Sequence, residues 1–228
     1  MIKTILWDVD GTLLDFKAAE SAAVKECFRR FGMGVCTDEM VARYSAINDR
    51  CWKMLEAGAA TKAQILTARF DEFFAAEGVL CPSTAEFNAE YQIRLGDTIV
   101  FRDDSLRLLT KLRGRVRQYA VTNGTITAQE RKLRRSGFDK VFDGVFISDR
   151  LGAEKPSPVF FDAVFAAIGP IRKDEVMIVG DSLTSDIRGG DNAGIVTVWY
   201  NPAGEPNDSG ARVDHELRDL REVEALLG

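Results

Sequence analysis

Two aspartates, Asp8 and Asp10, stand one residue apart at the end of an apolar run, with Gly11-Thr12 directly after them. A hydroxyl and an amide, Thr122-Asn123, close a second apolar run. Lys155 precedes Pro156, and Gly180-Asp181-Ser182 closes a third. If the fold brings these residues together, three carboxylates repel one another and need either a cation or raised pKa values. Magnesium prefers oxygen donors and commonly takes one or two carboxylates together with phosphate oxygens. A paired aspartate, a distant aspartate and a lysine therefore read as a magnesium phosphotransfer site.

The elements that must position these residues follow from periodicity. Residues 2–9 are mostly apolar, as in a strand buried on both faces of a parallel sheet. Segments 18–31, 39–57, 62–77 and 84–95 are rich in Ala, Glu, Lys, Leu and Phe, with apolar residues recurring at three and four, as in Ala23, Cys27, Phe28 and Phe31. Thr37 and Thr61 are suited to N-cap two of these helices. From there helix and strand alternate. Helices are expected over 104–112, 128–136, 158–168, 183–193 and 216–227. Strands are expected over 117–122, 144–148, 176–179 and 195–199. Strands separated by helices predict an α/β fold with a doubly wound, Rossmann-like parallel sheet, interrupted after its first strand by an all-helical block. The expected division is residues 1–16 and 97–228 for the core and 17–96 for the block. In such a sheet ligands bind at the carboxyl ends of the strands, where all the polar residues named above fall.

Composition narrows the field. The chain has 228 residues, 46% of them hydrophobic, enough for a buried core. Its 30 Lys and Arg against 35 Asp and Glu give a net charge of −5, which argues against a nucleic-acid polymer or an anionic membrane as partner. The single His215 excludes multi-histidine metal sites and paired-histidine phosphotransfer. Cys27, Cys36, Cys51 and Cys81 contain no Cys-x-x-Cys pair, and none has an arginine six positions later, so zinc knuckles, thioredoxin-like redox motifs and the cysteine-phosphatase loop are absent. With no signal peptide and no apolar run of membrane length, the chain reads as cytoplasmic, with reduced cysteines used for packing. Segment 201–210, with two prolines and two glycines, reads as a mobile loop. An apolar face on the helical block suits an interior or a dimer contact equally, so the expectation is a monomer or a homodimer.

Asp8-x-Asp10-Gly11-Thr12, Thr122-Asn123, Lys155-Pro156 and Gly180-Asp181-x-x-x-x-Asp186 resemble the four ordered motifs of the haloacid dehalogenase-like (HAD) hydrolase superfamily. The helical block matches that superfamily's α-helical cap. The resemblance implies roles for each residue. Asp8 would be the nucleophile that forms an aspartyl-phosphate. Asp10 would protonate the leaving oxygen and then activate water. Magnesium would be held by the Asp8 carboxylate, the Asp10 backbone carbonyl and Asp181, with Asp186 in support. Thr122, Asn123 and Lys155 would bind phosphate oxygens, and Ser182 would help to orient the site. Dehalogenases of the superfamily lack an acid at the position of Asp10, so the implied reaction is phosphomonoester hydrolysis. Lys17, Lys25, Lys53 and Lys62 show no context for a phosphonate-cleaving Schiff base, and no arginine-rich mutase motif is present.

The segment Tyr44-Ser45-Ala46-Ile47-Asn48-Asp49-Arg50-Cys51-Trp52, with Gly58, Arg69-Phe70, Ile147-Ser148 and Gly189-Gly190-Asp191-Asn192-Ala193-Gly194, is similar to the house-cleaning pyrimidine 5′-nucleotidases. That resemblance implies a nucleoside monophosphate substrate such as dUMP, UMP or dTMP. Asn48 or Arg69 would hydrogen-bond the base, and Trp52 or Phe73 would stack on it. Two alternatives stand beside this one: a phosphatase for a sugar phosphate or another small organic phosphate (an acylneuraminate 9-phosphate, phosphoglycolate), and a non-catalytic binding protein on the same fold.

Overall fold

The computed structural model describes residues 1–228. Its frame is a six-stranded sheet, parallel throughout: β1 (Thr4–Trp7), β2 (Arg117–Thr122), β3 (Gly144–Ile147), β4 (Val176–Gly180), β5 (Val196–Tyr200) and β6 (His215–Leu217). The spatial order is β3-β2-β1-β4-β5-β6. The chain runs outward from β1 to one side and then returns to build the other side, so the switch point lies at the carboxyl end of β1. Ile5, Leu6 and Trp7 are wholly buried because helices cover both faces. Ile5 and Trp7 pack on one face with Leu109, Ala120 and Val179, and Leu6 packs on the other with Val121, Phe160 and Ile178.

Four helices are inserted between β1 and the rest: α1 (Phe16–Arg30), α2 (Asp38–Glu56), α3 (Lys62–Glu77) and α4 (Thr84–Asp97). Thr37 and Thr61 are N-caps, and Thr61 forms a reciprocal capping box with Gln64. These helices bury an aromatic core of their own, in which Phe70 lies within 4.9–5.1 Å of Tyr44, Phe87 and Tyr91. The two crossings of the chain into this layer are tied together. Asp15 N donates to Val100 O, Arg102 N donates to Leu13 O, and the Arg102 guanidinium lies 3.2 Å from the Asp15 carboxylate. Two further contacts join the layers: Thr184 donates to Glu56 at 2.6 Å, and Lys62 pairs with Glu154 at 2.8 Å.

The core helices are α5 (Ser105–Leu112), α6 (Ile126–Ser136), α7 (Ser148–Leu151), α8 (Pro158–Ile168) and α9 (Arg188–Ala193). Two expectations are corrected. The last segment is not one helix over 216–227. His215–Leu217 is an edge strand paired with β5, and Leu220–Leu226 is a 3-10 helix. Leu217, Leu220, Val223 and Leu227 are all buried at helical spacing, but the open edge of β5 offers Leu217 ladder hydrogen bonds that a helix would forgo. Segment 183–193 is also divided. Leu183–Ile187 is a π-helical turn and α9 begins only at Arg188. Residues 201–210 are tied down by the Asn201 side chain, which accepts from Gly204 N and Glu205 N and donates to Glu205 O.

All four cysteines are free, and Cys27, Cys36 and Cys51 are buried, as expected of packing residues. No helix is long and apolar enough to cross a membrane.

Candidate active site

The strand ends converge as the topology requires. Trp7 is level with Ala120 of β2 and Val179 of β4, so Asp8 follows one residue beyond that level and Thr122 and Asp181 two beyond it. Asp8 N still donates to Val179 O at 2.9 Å, which continues the ladder and fixes the base of the Asp8 side chain. The next turn needs glycine. Gly11 has φ +97°, and a Cβ there would lie 2.4 Å from an Asp181 carboxylate oxygen. The π-helical turn serves Asp186. Asp186 N and Ile187 N both donate to Ser182 O, and this wide turn folds the Asp186 carboxylate back against Gly180, where a Cβ would come within 2.3 Å of it.

Lys155 is the hub. Its ammonium is buried and donates to Asp8 Oδ1 at 2.8 Å, Asp186 Oδ1 at 2.6 Å and Val121 O at 2.7 Å. Its backbone is held by Asn123, whose side chain accepts from Lys155 N at 2.9 Å and donates to Lys155 O at 3.0 Å. The other Asp186 oxygen accepts from Ser182 N at 3.1 Å. Asp8, Asp181 and Asp186 present carboxylate oxygens within 4.8 Å of one another.

Charge does not balance in this cluster. Three carboxylates face one ammonium, which leaves two negative charges uncompensated. Burial, and then Asp186, push the Asp8 carboxyl up to about 7, against the pull of Lys155. Asp181 opens to the cleft, yet the surrounding protein and the nearby Asp8 push it up to about 7. Burial raises Asp186 to about 6, opposed by Lys155. Burial pulls the Lys155 ammonium down, and Asp186 and Asp8 more than reverse this, so it is raised and stays charged. The Thr12 hydroxyl stands 2.9 Å from Asp8 Oδ2 and 3.1 Å from Asp181 Oδ1, and it accepts from Asp181 N at 3.0 Å. It has one proton for two carboxylate oxygens. The other oxygen has no donor there, and a divalent cation would supply both the missing partner and the missing charge. The residues thus fit a hard cation.

The cluster opens into a cleft of about 750 Å³ between the sheet edge and the helical layer. A second groove, about 860 Å³, lies at the opposite end of the sheet beside Lys3, Arg115 and Arg172, and contains none of these carboxylates. Asp8, Asp10, Asn123, Lys155, Asp181 and Asp186 all line the cleft. Thr122 does not. Its hydroxyl is fully buried and contacts Asn123 O at 3.3 Å. Of the four residues expected from the helical layer, Asn48, Trp52 and Arg69 reach the cleft. Phe73 is a correction. It is wholly buried, with ring centroids 5.9 Å from Phe28 and 5.3 Å from Tyr44, because its position on α3 faces the aromatic core and not the sheet.

Sequence reasoning missed three participants. Thr12 lay inside the first motif but had no assigned role. Gln129 and Lys132 on α6 hold Asp10: Gln129 Nε2 donates to Asp10 Oδ2 at 2.7 Å, and Lys132 Nζ donates to Asp10 Oδ1. The signal was present, since the two stand three apart on the buried face of α6 with Ala128 and Leu133, where a lysine is out of place unless paired.

With this geometry established, the comparisons with known proteins decide the family. Residues 2–194 match the haloacid dehalogenase-like hydrolases. The chain belongs to that family. It is similar to the HAD-hydrolase YfnB of Bacillus subtilis (strain 168), at 34% identity over 99% of this chain and 95% of that one. The magnesium-bound crystal structure of YfnB, described as revealing interdomain movement, superimposes with a TM-score of 0.92 at 33% identity, over 100% of this chain and 99% of that one. The pyrimidine 5′-nucleotidase PynA of Streptococcus pneumoniae (strain ATCC BAA-255 / R6) is 34% identical over 97% of this chain and 93% of its own. The pyrimidine 5′-nucleotidase YjjG of Escherichia coli (strain K12) is 28% identical over 98% and 96%. As a HAD-like hydrolase, this chain carries three of the four ordered motifs directly at the ends of β1, β2 and β4, and the fourth, Lys155-Pro156, in the loop between α7 and α8.

Proposed function

We propose that this HAD-like hydrolase is a magnesium-dependent phosphomonoesterase that acts through an aspartyl-phosphate on Asp8, with pyrimidine nucleoside monophosphates as substrates. The observation that carries the proposal is the charge-deficient cluster of Asp8, Asp181, Asp186 and Lys155, which opens into a cleft beside Asp10.

Asp8 and Asp181, with the backbone carbonyl of Asp10, would hold the cation, and Asp186 would stand behind them. When bound, magnesium neutralises the carboxylates and the phosphate, about −2 near neutral pH, so that both can occupy one site. Lys155 places the Asp8 carboxylate and adds positive charge for the phosphate oxygens, and Asn123 keeps Lys155 in place. A carboxylate oxygen of Asp8 attacks phosphorus as the bond to the leaving oxygen breaks, and that oxygen takes a proton from Asp10. Asp10, now a carboxylate, removes a proton from water. The water oxygen attacks the phosphoryl group, and Asp8 departs as a carboxylate.

Residues 17–96 act in this proposal as a cap over a core of 1–16 and 97–228, excluding water and choosing the leaving group. A cleft of about 750 Å³ has room for a nucleotide. Trp52, half-buried on the cap side, offers a face for a base. Support for a pyrimidine substrate comes from PynA and YjjG, which align along nearly the whole chain.

The test is a phosphate-release screen of purified protein on p-nitrophenyl phosphate, UMP, dUMP, dTMP, AMP, GMP and sugar phosphates, with magnesium or with EDTA. Hydrolysis that depends on magnesium and favours pyrimidine nucleotides by about tenfold or more in kcat/KM, roughly 1.4 kcal/mol, is expected. Hydrolysis without that preference removes the nucleotidase reading. No hydrolysis of any phosphomonoester removes the phosphatase reading.

A further inference from the structure

The carboxylate of Asp10 is clamped at both oxygens from a single helix. Lys132 Nζ donates to Oδ1, and Gln129 Nε2 donates to Oδ2 at 2.7 Å. Both donors are 1% exposed. We propose that Lys132 and Gln129 are positioning residues, which fix the plane of the Asp10 carboxylate for proton exchange with the leaving oxygen. The inference rests on the phosphatase reading above.

Three observations carry it. First, the hydrogen bond and ion pair of the Lys132 ammonium both go to Asp10. A buried ammonium is costly unless paired, so this lysine is bound to that one carboxylate. Second, the Gln129 amide nitrogen is directed at Asp10, 2.7 Å away, with only a longer 3.5 Å contact to Asn123 O beside it. The amide Oε1 is buried with no hydrogen-bond partner, and turning the amide over would face that oxygen toward a carboxylate. A buried carbonyl without a partner is unfavourable, so the orientation is maintained against a penalty. Third, the clamp touches the parts that must move or bind together. Gly124, beside Asn123, has no Cβ, and one placed there would lie 2.7 Å from Gln129 Nε2. The Lys132 ammonium lies 5.3 Å from the ring centroid of Phe16, the first residue of α1.

Two donors on two different oxygens set the carboxylate plane, whereas one donor would leave it free to rotate. Each oxygen keeps a second lone-pair site, so the clamped group still has room for the proton it must carry. The competing arrangement is a clamp that parks Asp10 out of reach, in which case breaking it would speed the reaction.

The experiment compares kcat/KM for two substrates in Lys132→Met and in Gln129→Leu, with magnesium present. This ratio reports only the steps up to phosphoryl transfer onto Asp8, so slow attack by water does not obscure it. p-Nitrophenolate leaves as a stable anion and needs little help from a proton, whereas the 5′-alkoxide of a nucleoside needs it fully. Lys132→Met is expected to lower kcat/KM on UMP about 100-fold, within the usual range for general acid catalysis, and on p-nitrophenyl phosphate about tenfold or less. Gln129→Leu is expected to show the same selectivity with a smaller loss, and it carries the test if Lys132→Met does not fold by thermal melt. Equal losses on both substrates in a folded variant would overturn the proposal in favour of a purely structural clamp. A gain on UMP would overturn it in favour of parking. If the wild-type protein hydrolyses neither substrate, the phosphatase reading has failed instead.

Discussion

Two polar networks, one at the strand ends of the core with Asp181 open to the cleft and one buried among the helices of the insertion, are built on opposite principles. In the helical layer Glu20 accepts from Ser45 and Asn48 at 2.5 and 2.9 Å. Asn48 in turn accepts from Arg69 at 2.7 Å, and Arg69 also donates to Asn88 at 3.0 Å and Leu66 O at 3.3 Å. One buried carboxylate is thus linked through an amide to one buried guanidinium, and at the rim Lys17 stands 3.7 Å from Glu20 and 2.7 Å from Asp49, so two positive and two negative charges cancel. At the strand ends, three carboxylates share one ammonium and one hydroxyl proton is offered to two of them. The balanced network is complete as folded and holds four helices together. The unbalanced one is complete only with further positive charge. Charge balance, and not burial or residue type, separates the scaffold from the site. It also revises the roles of Asn48 and Arg69, which line the cleft but are mainly bonded to their own layer.

The widest separation between the two networks should come from Asp8→Asn. Turnover is expected to fall by at least about 10⁴-fold, as when a nucleophile is removed. The melting temperature of the metal-free protein is expected to hold or rise, because a cluster of three carboxylates around one ammonium loses one of its excess negative charges. Turnover close to wild type would end the nucleophile assignment, and a large loss of stability would show the cluster to be scaffold.

Arg69→Met should do the reverse. Removing the guanidinium leaves Asn48 without its donor and Glu20 with only the half-exposed Lys17, 3.7 Å away, as counter-charge, at about 3 kcal/mol. For a chain of this size that lowers the melting temperature by about 6–12 °C. A variant as stable as wild type but with weakened nucleotide binding would return Arg69 to the substrate site.

The smallest effect is a coupling of pH to metal binding. Asp8 and Asp181 are pushed up to about 7 and Asp186 to about 6, against 3.8 for an unperturbed aspartate. The metal-free fold therefore holds protons that the unfolded chain has released. The stabilisation is full below about 3.8 and is lost as pH rises through 6 to 7. Magnesium held by these carboxylates would displace those protons, so its own stabilising effect is expected to grow with pH. The rise in melting temperature on adding magnesium should be about 3–6 °C larger at pH 8 than at pH 6. Equal rises at the two pH values would mean that the carboxylates are ionised throughout and that the cluster is less strained than its geometry implies.

Much of this was determined by sequence alone. Apolar runs that end in Asp8, Thr122 and Gly180 dictate buried parallel strands, and parallel strands with helical crossovers bring those ends to one edge whatever the details of packing. Thr37 and Thr61 mark helix starts through a local hydrogen bond that needs no tertiary partner. Asp8 and Asp181 could be named for the same reason, because each directly follows a strand, whereas Asp186 was implied by the resemblance to the ordered HAD motifs, which also gave Lys155 its role.

Only the tertiary structure decided the remainder. Leu217, Leu220, Val223 and Leu227 carry a helical period, yet an open strand edge overrode it. Phe73 and Trp52 are both aromatic residues on amphipathic helices, and only the packing of four helices turned one into the aromatic core and the other to the cleft. The partners of Asp10 lie more than a hundred residues away on α6, a separation that no local pattern reports. Periodicity tells a side chain which way to face on its own helix or strand. What it meets there depends on how the layers are assembled.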